Sequence, residues 1–319
     1  MKSSSGFWKN KKVLVTGGTG FIGRHLVDQL VNAGAMVTVS GRSQNSGVKI
    51  TGGKIIKGDI SDNKIADSAC QGQNIVFHLA AHVAGIEYNR QHPATMFRDN
   101  TEITAAIIEA ARKAKVGRFL MVSSACVYPH DALIPTPESE GMRDEPEPTN
   151  SGYGWAKRNA ELMAEFYAAE YGMQIGIVRP YNAYGPGDHF NDVKSHVIPS
   201  LIRRITGGED PLIVWGSGKQ TRSFLYVEDL AEAMILALER YPKPDPLNIG
   251  SDEEISLSDL VALICRISGK KPKIIFDTTK PDGSPRRKSD NQMAHKLIGF
   301  KAKTPLYLGL EKTIKWYLS

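Results

Sequence analysis

The sequence predicts an α/β fold, a parallel sheet with helices on both faces, followed by a smaller C-terminal lobe. Three observations carry this. Short apolar β-type runs alternate with helix-period segments up to Arg179, a glycine triplet separates the first run from the first helix, and the alternation stops after Arg179-Pro180. The runs are Lys12–Thr16 (KVLVT), Met36–Ser40 (MVTVS), Lys54–Lys57 (KIIK), Asn74–Leu79 (NIVFHL), Phe119–Ser123 (FLMVS) and Gln174–Val178 (QIGIV). Helical stretches at Phe21–Val31, Thr101–Lys115 and Tyr153–Tyr171 lie between them. This is the pattern of βαβ units, whose clefts open beyond the carboxyl ends of the strands.

Beyond Pro180 the texture changes. Gly185-Pro186-Gly187, Gly207-Gly208 and the proline-rich Tyr241–Pro246 punctuate shorter elements, so residues 180–319 are read mainly as the second lobe and 1–179 as the first. The lobes interleave: Asp229–Arg240 carries Leu230, Met234, Ala237 and Leu238 on one helical face, which predicts a segment near 223–250 that returns to the first lobe. At 319 residues and 41% hydrophobic content the chain supports a large core. Lys+Arg 40 against Asp+Glu 34 gives a net charge of +6, scattered along the chain, which suits anionic small ligands and not a nucleic-acid surface. Cys70, Cys126 and Cys265 have no C-x-x-C spacing, which argues against disulfides or zinc and for a reducing compartment. No segment approaches the roughly 18 consecutive apolar residues of a membrane span, and MKSSSGFWKNKK lacks a signal-peptide core, so a cytoplasmic location away from the membrane is expected.

Gly17, Gly20 and Gly23 form G-x-x-G-x-x-G in TGGTGFIG, with Thr19, Phe21 and Ile22 completing the loop and the first helical turn. Glycines there permit a tight turn and let a pyrophosphate approach backbone amides at a helix N-terminus. Placed between a strand and a helix, the motif predicts a dinucleotide site in a Rossmann-type sheet. NAD sites usually hold the ribose with a carboxylate about 20 residues onward, at the end of the second strand. Ser40-Gly41-Arg42 stands there instead, and an arginine clamps a 2′-phosphate, so NADP(H) is favoured with NAD(H) possible. Asp59 and Ile60, after the third run, are candidates for the adenine edge, and Leu79, Ala80 and Ala81 for the cofactor wall.

Tyr153 and Lys157 are four apart and share a helical face; among 11 tyrosines, only Tyr153 has Lys at the fourth position onward. An ammonium beside the phenol is expected to lower its pKa from about 10, making it a usable acid/base. Ser123-Ser124 puts a hydroxyl at the sheet edge. His78 and His82 are also four apart, but no third ligand accompanies them and they are read as structural, with no metal.

Together the glycine loop, strand-end serine and Tyr-x-x-x-Lys resemble the extended short-chain dehydrogenase/reductase family, the nucleotide-sugar epimerases, dehydratases and reductases, across essentially the whole chain. The resemblance implies that Ser124 orients the substrate oxygen, Tyr153 is the acid/base at the carbon undergoing hydride transfer, and Lys157 holds the nicotinamide ribose and tunes Tyr153. Asn100 in MFRDN falls where the family has a structural Asn beside the active site and is counted with the cofactor residues. A homodimer through the helix pair containing Thr101–Lys115 and Tyr153 is likewise implied.

SSACVYP, RPYNAYGPGDHF, SHVIPSLIRR and KPDGSPRR further resemble the GDP-L-fucose synthase group, which epimerises GDP-4-keto-6-deoxy-mannose at C3 and C5 and then reduces C4. On that resemblance Cys126 is the base and His196 the acid, since protons flanking a ketone are acidic and inversion needs removal on one face and delivery on the other. Arg204, Arg222 and Arg287 would hold the diphosphate, with Trp215 and Asn182 beside the sugar or base. WGSGKQTRSF, PLNIGSDEEIS and RRKSDN resemble instead the GDP-mannose 3,5-epimerases, which oxidise C4 transiently with one bound NAD. That group has Lys where His196 stands, so His196 and Arg42 rank net reduction first. A 4-reductase or 4-epimerase of another nucleotide sugar, with an inert Cys126, is the third reading. A non-catalytic cofactor-binding regulator is disfavoured because Ser, Tyr and Lys are all present.

Overall fold

The computed structural model describes residues 6–41, 54–191, 195–280 and 283–319. The first lobe runs β1 (Lys12–Thr16), α1 (Phe21–Asn32), β2 (Met36–Gly41), β3 (Lys54–Lys57), α2 (Asn63–Cys70), β4 (Ile75–His78), α3 (Ile86–Gln91), α4 (Pro93–Lys113), β5 (Arg118–Val122), α5 (Ser151–Tyr171) and β6 (Ile175–Pro180). The second begins with β7 (Ala183–Tyr184), α6 (Val197–Thr206), β8 (Leu212–Trp215), β9 (Thr221–Ser223) and β10 (Leu225–Tyr226). After it come α7 (Val227–Arg240), β11 (Pro246–Ile249), β12 (Glu254–Ser256), α8 (Leu257–Ser268), β13 (Ile274–Asp277), β14 (Arg286–Arg287), α9 (Gln292–Ile298) and α10 (Leu306–Leu318).

The main sheet has seven parallel strands in the order β11-β6-β5-β4-β1-β2-β3. Its central strands are apolar on both sides because helices cover both faces. Val13 and Val15 of β1 pack with Leu26, Val27 and Leu30 of α1 and with α7, whereas Leu14 between them packs with α2 and α4 through Ala66 and Ile107. Strand periodicity thus splits β1 between two cores. Strand order reverses between β1 and β4, so the loops after these two strands flank the crevice where a dinucleotide binds in such sheets.

The second lobe has its own core, in which Ile198, Leu201 and Ile202 of α6 meet Leu260 and Ile264 of α8 and Leu310 of α10. β8 pairs with β13, and β9 is flanked by β12 and β14. α7 leaves this lobe to bury Leu230, Met234 and Leu238 beside α1, and β11 then adds to the sheet next to β6. α9 returns too, burying Ala294 and Ile298 in the same core, a return that the sequence pattern does not announce. Among the described residues no helix is long and apolar enough to cross a membrane, and no group of three or more His, Cys, Asp or Glu could hold a metal.

Candidate active site

Gly17 leaves β1 with φ +68, and a Cβ there would lie 2.9 Å from the Ala80 amide nitrogen. A Cβ on Gly23 would lie 2.2 Å from the Gly17 carbonyl oxygen, so α1 can rise this close to the loop only with hydrogen at that position. Gly20 precedes α1 and supplies no side-chain cap, which leaves the first amides of the helix for an anion. These features fit a pyrophosphate-bearing dinucleotide. Thr19 packs against Gly41 at the end of β2, and Phe21 and Ile22 are half-buried in the first turn. The Thr16 hydroxyl accepts from the Ala80 amide at 3.1 Å and the Leu79 amide donates to the Thr16 carbonyl, which ties the Leu79–Ala81 wall to the loop.

Arg42 lies outside the described residues. Ile60 is 5% exposed and its side chain packs in the core with Leu14; neighbouring Asp59 is exposed and accepts from the Ser61 amide and hydroxyl at 3.0 and 2.9 Å. Asn100 is spent on the chain itself: its Oδ1 accepts from the His82 amide at 2.9 Å and its Nδ2 donates to the His82 and Met96 carbonyls at 3.1 and 2.8 Å. It clamps the loop after β4 to α4. His78 is buried beside the Thr16 hydroxyl at 2.9 Å, and burial, followed by the Lys157 charge, pulls it down to about 3, a neutral structural histidine. His82 instead pairs with Asp99 at 2.9 Å.

β5 ends at Val122 and the chain passes through Ser123 and Ser124 into a 3-10 turn, Ala125–Val127. The Ser124 hydroxyl accepts from the Cys126 amide at 3.1 Å, which fixes Cys126 one step from Ser124. Tyr153 is in the first turn of α5 and Lys157 one turn on, its Nζ 5.5 Å from the Tyr153 ring centre. That Nζ donates to the Val122 carbonyl at 2.8 Å. Ser124, Cys126, Tyr153 and Lys157 therefore form one cluster at the carboxyl end of β5. Burial pushes the Tyr153 phenol above its ordinary range, the charge of Cys126 adds to this, and hydrogen bonding with Ser124 opposes it. Lys157 is pulled down to about 8 by burial, against the upward pull of Cys126 and Glu161. The expectation that Lys157 depresses the Tyr153 phenol is thus corrected: the ammonium is turned to Val122 and burial dominates, which favours the neutral phenol.

His196 stands apart from this cluster, immediately before α6. Its ring is exposed and its Nδ1 lies 3.5 Å from Oδ1 of Asp188, whose side chain is 1% exposed. Hydrogen bonding to Asp188 raises the His196 pKa, which favours the imidazolium. Arg222 and Arg287 face each other across the β9–β14 pairing, and Glu147, before α5, meets Arg287 at 3.3 Å. Arg286, Arg287, Glu147, Tyr128 and Tyr181 line one concavity beside the cluster. Arg204 is not gathered there: it binds Glu209 at 2.8 and 2.5 Å and the Ile213 carbonyl at 2.6 Å, so its guanidinium is committed within the second lobe. Asn182 donates to the Ser223 carbonyl at 2.9 Å and joins β7 to β9, and Trp215 lies exposed on β8 with the Lys280 ammonium 5.7 Å from its ring. Sequence reasoning missed Asp188, Glu147 and the buried Glu161–Arg179 pair; only Glu161 left a signal, four residues after Lys157 on the same helical face.

A doubly wound parallel sheet, a glycine loop at its switch point and a Ser-Tyr-Lys cluster define an NAD(P)-dependent nucleotide-sugar epimerase/reductase. Residues 13–250 match the NAD dependent epimerase/dehydratase family, and the chain belongs to it. It is 34% identical to the probable GDP-L-fucose synthase 1 of Oryza sativa subsp. japonica, over 97% of this chain and 93% of the rice protein. With the GDP-L-fucose synthase of Escherichia coli (strain K12) the identity is 37%, over 76% of this chain and 79% of that one. Among solved structures, the UDP-glucose 4-epimerase of Thermotoga maritima with UDP-glucose superposes with a TM-score of 0.85 at 28% identity, covering 96% of this chain and 98% of that chain.

Proposed function

We propose that the protein is a GDP-4-keto-6-deoxy-mannose 3,5-epimerase-4-reductase that uses NADPH. The observation that carries this reading is the placement of Cys126 on the Ser124 hydroxyl, inside the electrostatic reach of Tyr153 and Lys157. Cys126 takes a proton from a carbon beside the C4 ketone, and His196, whose imidazolium form Asp188 favours, returns one to the opposite face. A nicotinamide nucleotide held by the Gly17–Gly23 loop would supply the hydride for C4 when bound. Tyr153, held neutral by burial, donates the proton to the C4 oxygen, and Ser124 orients that oxygen. Lys157 holds the cofactor ribose. Arg222 and Arg287 take the diphosphate, which displaces Glu147 from Arg287. The rice and E. coli relatives support the GDP-linked substrate.

The same reading divides the chain into a cofactor lobe (1–179 with the return at 223–250) and a mainly substrate-binding lobe (180–319), and makes it a homodimer in the cytoplasm. Phe97 on α4 and Trp155, Leu162 and Phe166 on α5 are exposed apolar side chains on the helix pair that would meet its partner copy.

Mixing the protein with NADPH and GDP-4-keto-6-deoxy-mannose should consume reduced nicotinamide, followed by its absorbance; no consumption rejects the reading. In D₂O, Cys126→Ser should abolish deuterium incorporation into the sugar ring, and unchanged incorporation removes Cys126 as the base. The likeness to the UDP-glucose 4-epimerase supports a second reading, epimerisation with transient C4 oxidation. Tightly held NAD in the purified protein would select it, and an empty site preferring NADPH the first.

A further inference from the structure

Behind the reaction centre lies a buried polar chain that none of the proposed chemical steps uses. The Ser123 hydroxyl donates to Glu161 Oε1. Arg179, 2% exposed at the end of β6, grips Glu161 with two parallel bonds, Nε to Oε1 at 2.8 Å and Nη2 to Oε2 at 2.7 Å. Its Nη1 donates to the Tyr128 hydroxyl at 2.9 Å and the Glu138 carbonyl at 2.7 Å. The Tyr128 hydroxyl donates to Asn248 of β11 at 2.5 Å, and Asn248 donates to the Thr136 carbonyl at 2.9 Å. Every member is satisfied, and the chain crosses β5, α5, β6 and β11.

Its register with the reaction centre is regular. Tyr153, Lys157 and Glu161 succeed one another a turn apart on α5. Lys157 holds the carbonyl of Val122, Glu161 holds the hydroxyl of Ser123, and the next residue is Ser124. Two rungs of one helix thus grip two successive residues of the strand end that presents Ser124 and Cys126.

We propose that Glu161, locked by Arg179, is a positioning residue for the reaction centre: it fixes the Ser123-Ser124 strand end against α5 and holds the Lys157 side chain in its charged, Val122-bound state. This rests on the role given above to Ser124 and Lys157. The groups that face Lys157 are Glu161 and Tyr153 on its own helix, Cys126 in the 3-10 turn and His78 on β4. Glu161 is faced by Arg179 on β6, Tyr128 after the turn and Arg158 on α5. Glu161 supplies a negative charge that opposes the burial of the Lys157 ammonium, so a neutral residue there shifts Lys157 toward the amine.

Because Glu161→Gln alone strands a buried guanidinium, the pair is replaced together as Glu161→Gln/Arg179→Met. The ¹³Cε signal of Lys157, in protein labelled with ¹³C-lysine and assigned with Lys157→Arg, is titrated with no substrate or cofactor present. The double variant is expected to titrate at lower pH than the wild type. A folded double variant with the wild-type midpoint overturns the proposal. The second variant, Ser123→Ala, keeps the ion pair and removes one hydroxyl. Its kcat is expected to fall about 10-fold or more at unchanged KM for the sugar nucleotide and unchanged Tm, and Ser123→Thr to restore it. Wild-type kcat in Ser123→Ala overturns the proposal even if the double variant does not fold. Should the wild type fail to turn over the sugar nucleotide, the functional reading falls, while the Lys157 titration still decides what Glu161 does.

Discussion

Burial opposes the charged form of Lys157, while the charged form of exposed His196 is favoured. Against the first stand the Val122 carbonyl and the pull of Cys126 and then Glu161; behind the second is the buried carboxylate of Asp188. The sign of the Asp188 effect follows from its direction. A histidine whose pKa is raised in the fold gains stability below its ordinary value of about 6.5, and that gain is lost as pH rises through the raised value. Asp188→Asn is therefore expected to lower the His196 titration midpoint in histidine NMR and to move the alkaline fall of deuterium incorporation to lower pH. An unshifted midpoint would show that Asp188 does not govern His196. At this scale the site was half legible: Tyr153, Lys157, Ser124 and Cys126 stand in short motifs, because a helical turn or a strand end places them locally. Asp188 was not, since it acquires meaning only when its loop folds over the start of α6.

Among the elements, the glycine loop and the α1 terminus form the most demanding junction. Gly23→Ala puts a methyl 2.2 Å from the Gly17 carbonyl oxygen, so loop and helix must separate. The variant is expected to lose NADPH affinity by at least about 10-fold in a fluorescence titration, while the distant second-lobe core keeps its packing. The β9–β12–β14 sheet makes a pH prediction of its own. Glu254 is held down to about 2, chiefly by hydrogen bonding to Arg286, with burial opposing and Thr221 assisting. A lowered carboxylate contributes stability above its unfolded pKa of about 4.3 and loses it as pH falls toward 2. Glu254→Gln should therefore flatten the acid side of the Tm-versus-pH curve over that window. Strand positions were read closely from sequence, with ends shifting by one or two residues, as at Arg118–Val122 against an expected Phe119–Ser123. α4 was read short: its helix begins at Pro93, two turns before Thr101, because the inward face there carries buried Asn100 and later Thr104, which break the apolar period.

Over the whole molecule, α7 and β11 join the lobes. Met234 of α7 is fully buried in the core shared with α1 and the sheet, so Met234→Ala is expected to cost about 2–5 kcal/mol, read as a lowered Tm. A single cooperative transition is expected, because the same α7–β11 segment is continuous with both lobes; two separate transitions would show that the cores unfold independently. The buried Arg179 network adds a polar tie from β5 to β11 through the middle of this joint.

The sequence by itself determined the parallel α/β sheet and which residues share a strand end or a helical face, because periodicity, glycine placement and i, i+4 spacing are local properties. Tertiary structure alone decided which charges meet. It turned Lys157 to Val122 and buried the Tyr153 phenol so that its neutral form is favoured. Arg204 was committed to Glu209, Arg287 was set opposite Arg222, and Asp188 was placed under His196. Burial and long-range electrostatics depend on every element packed around a group, and no spacing along the chain encodes them.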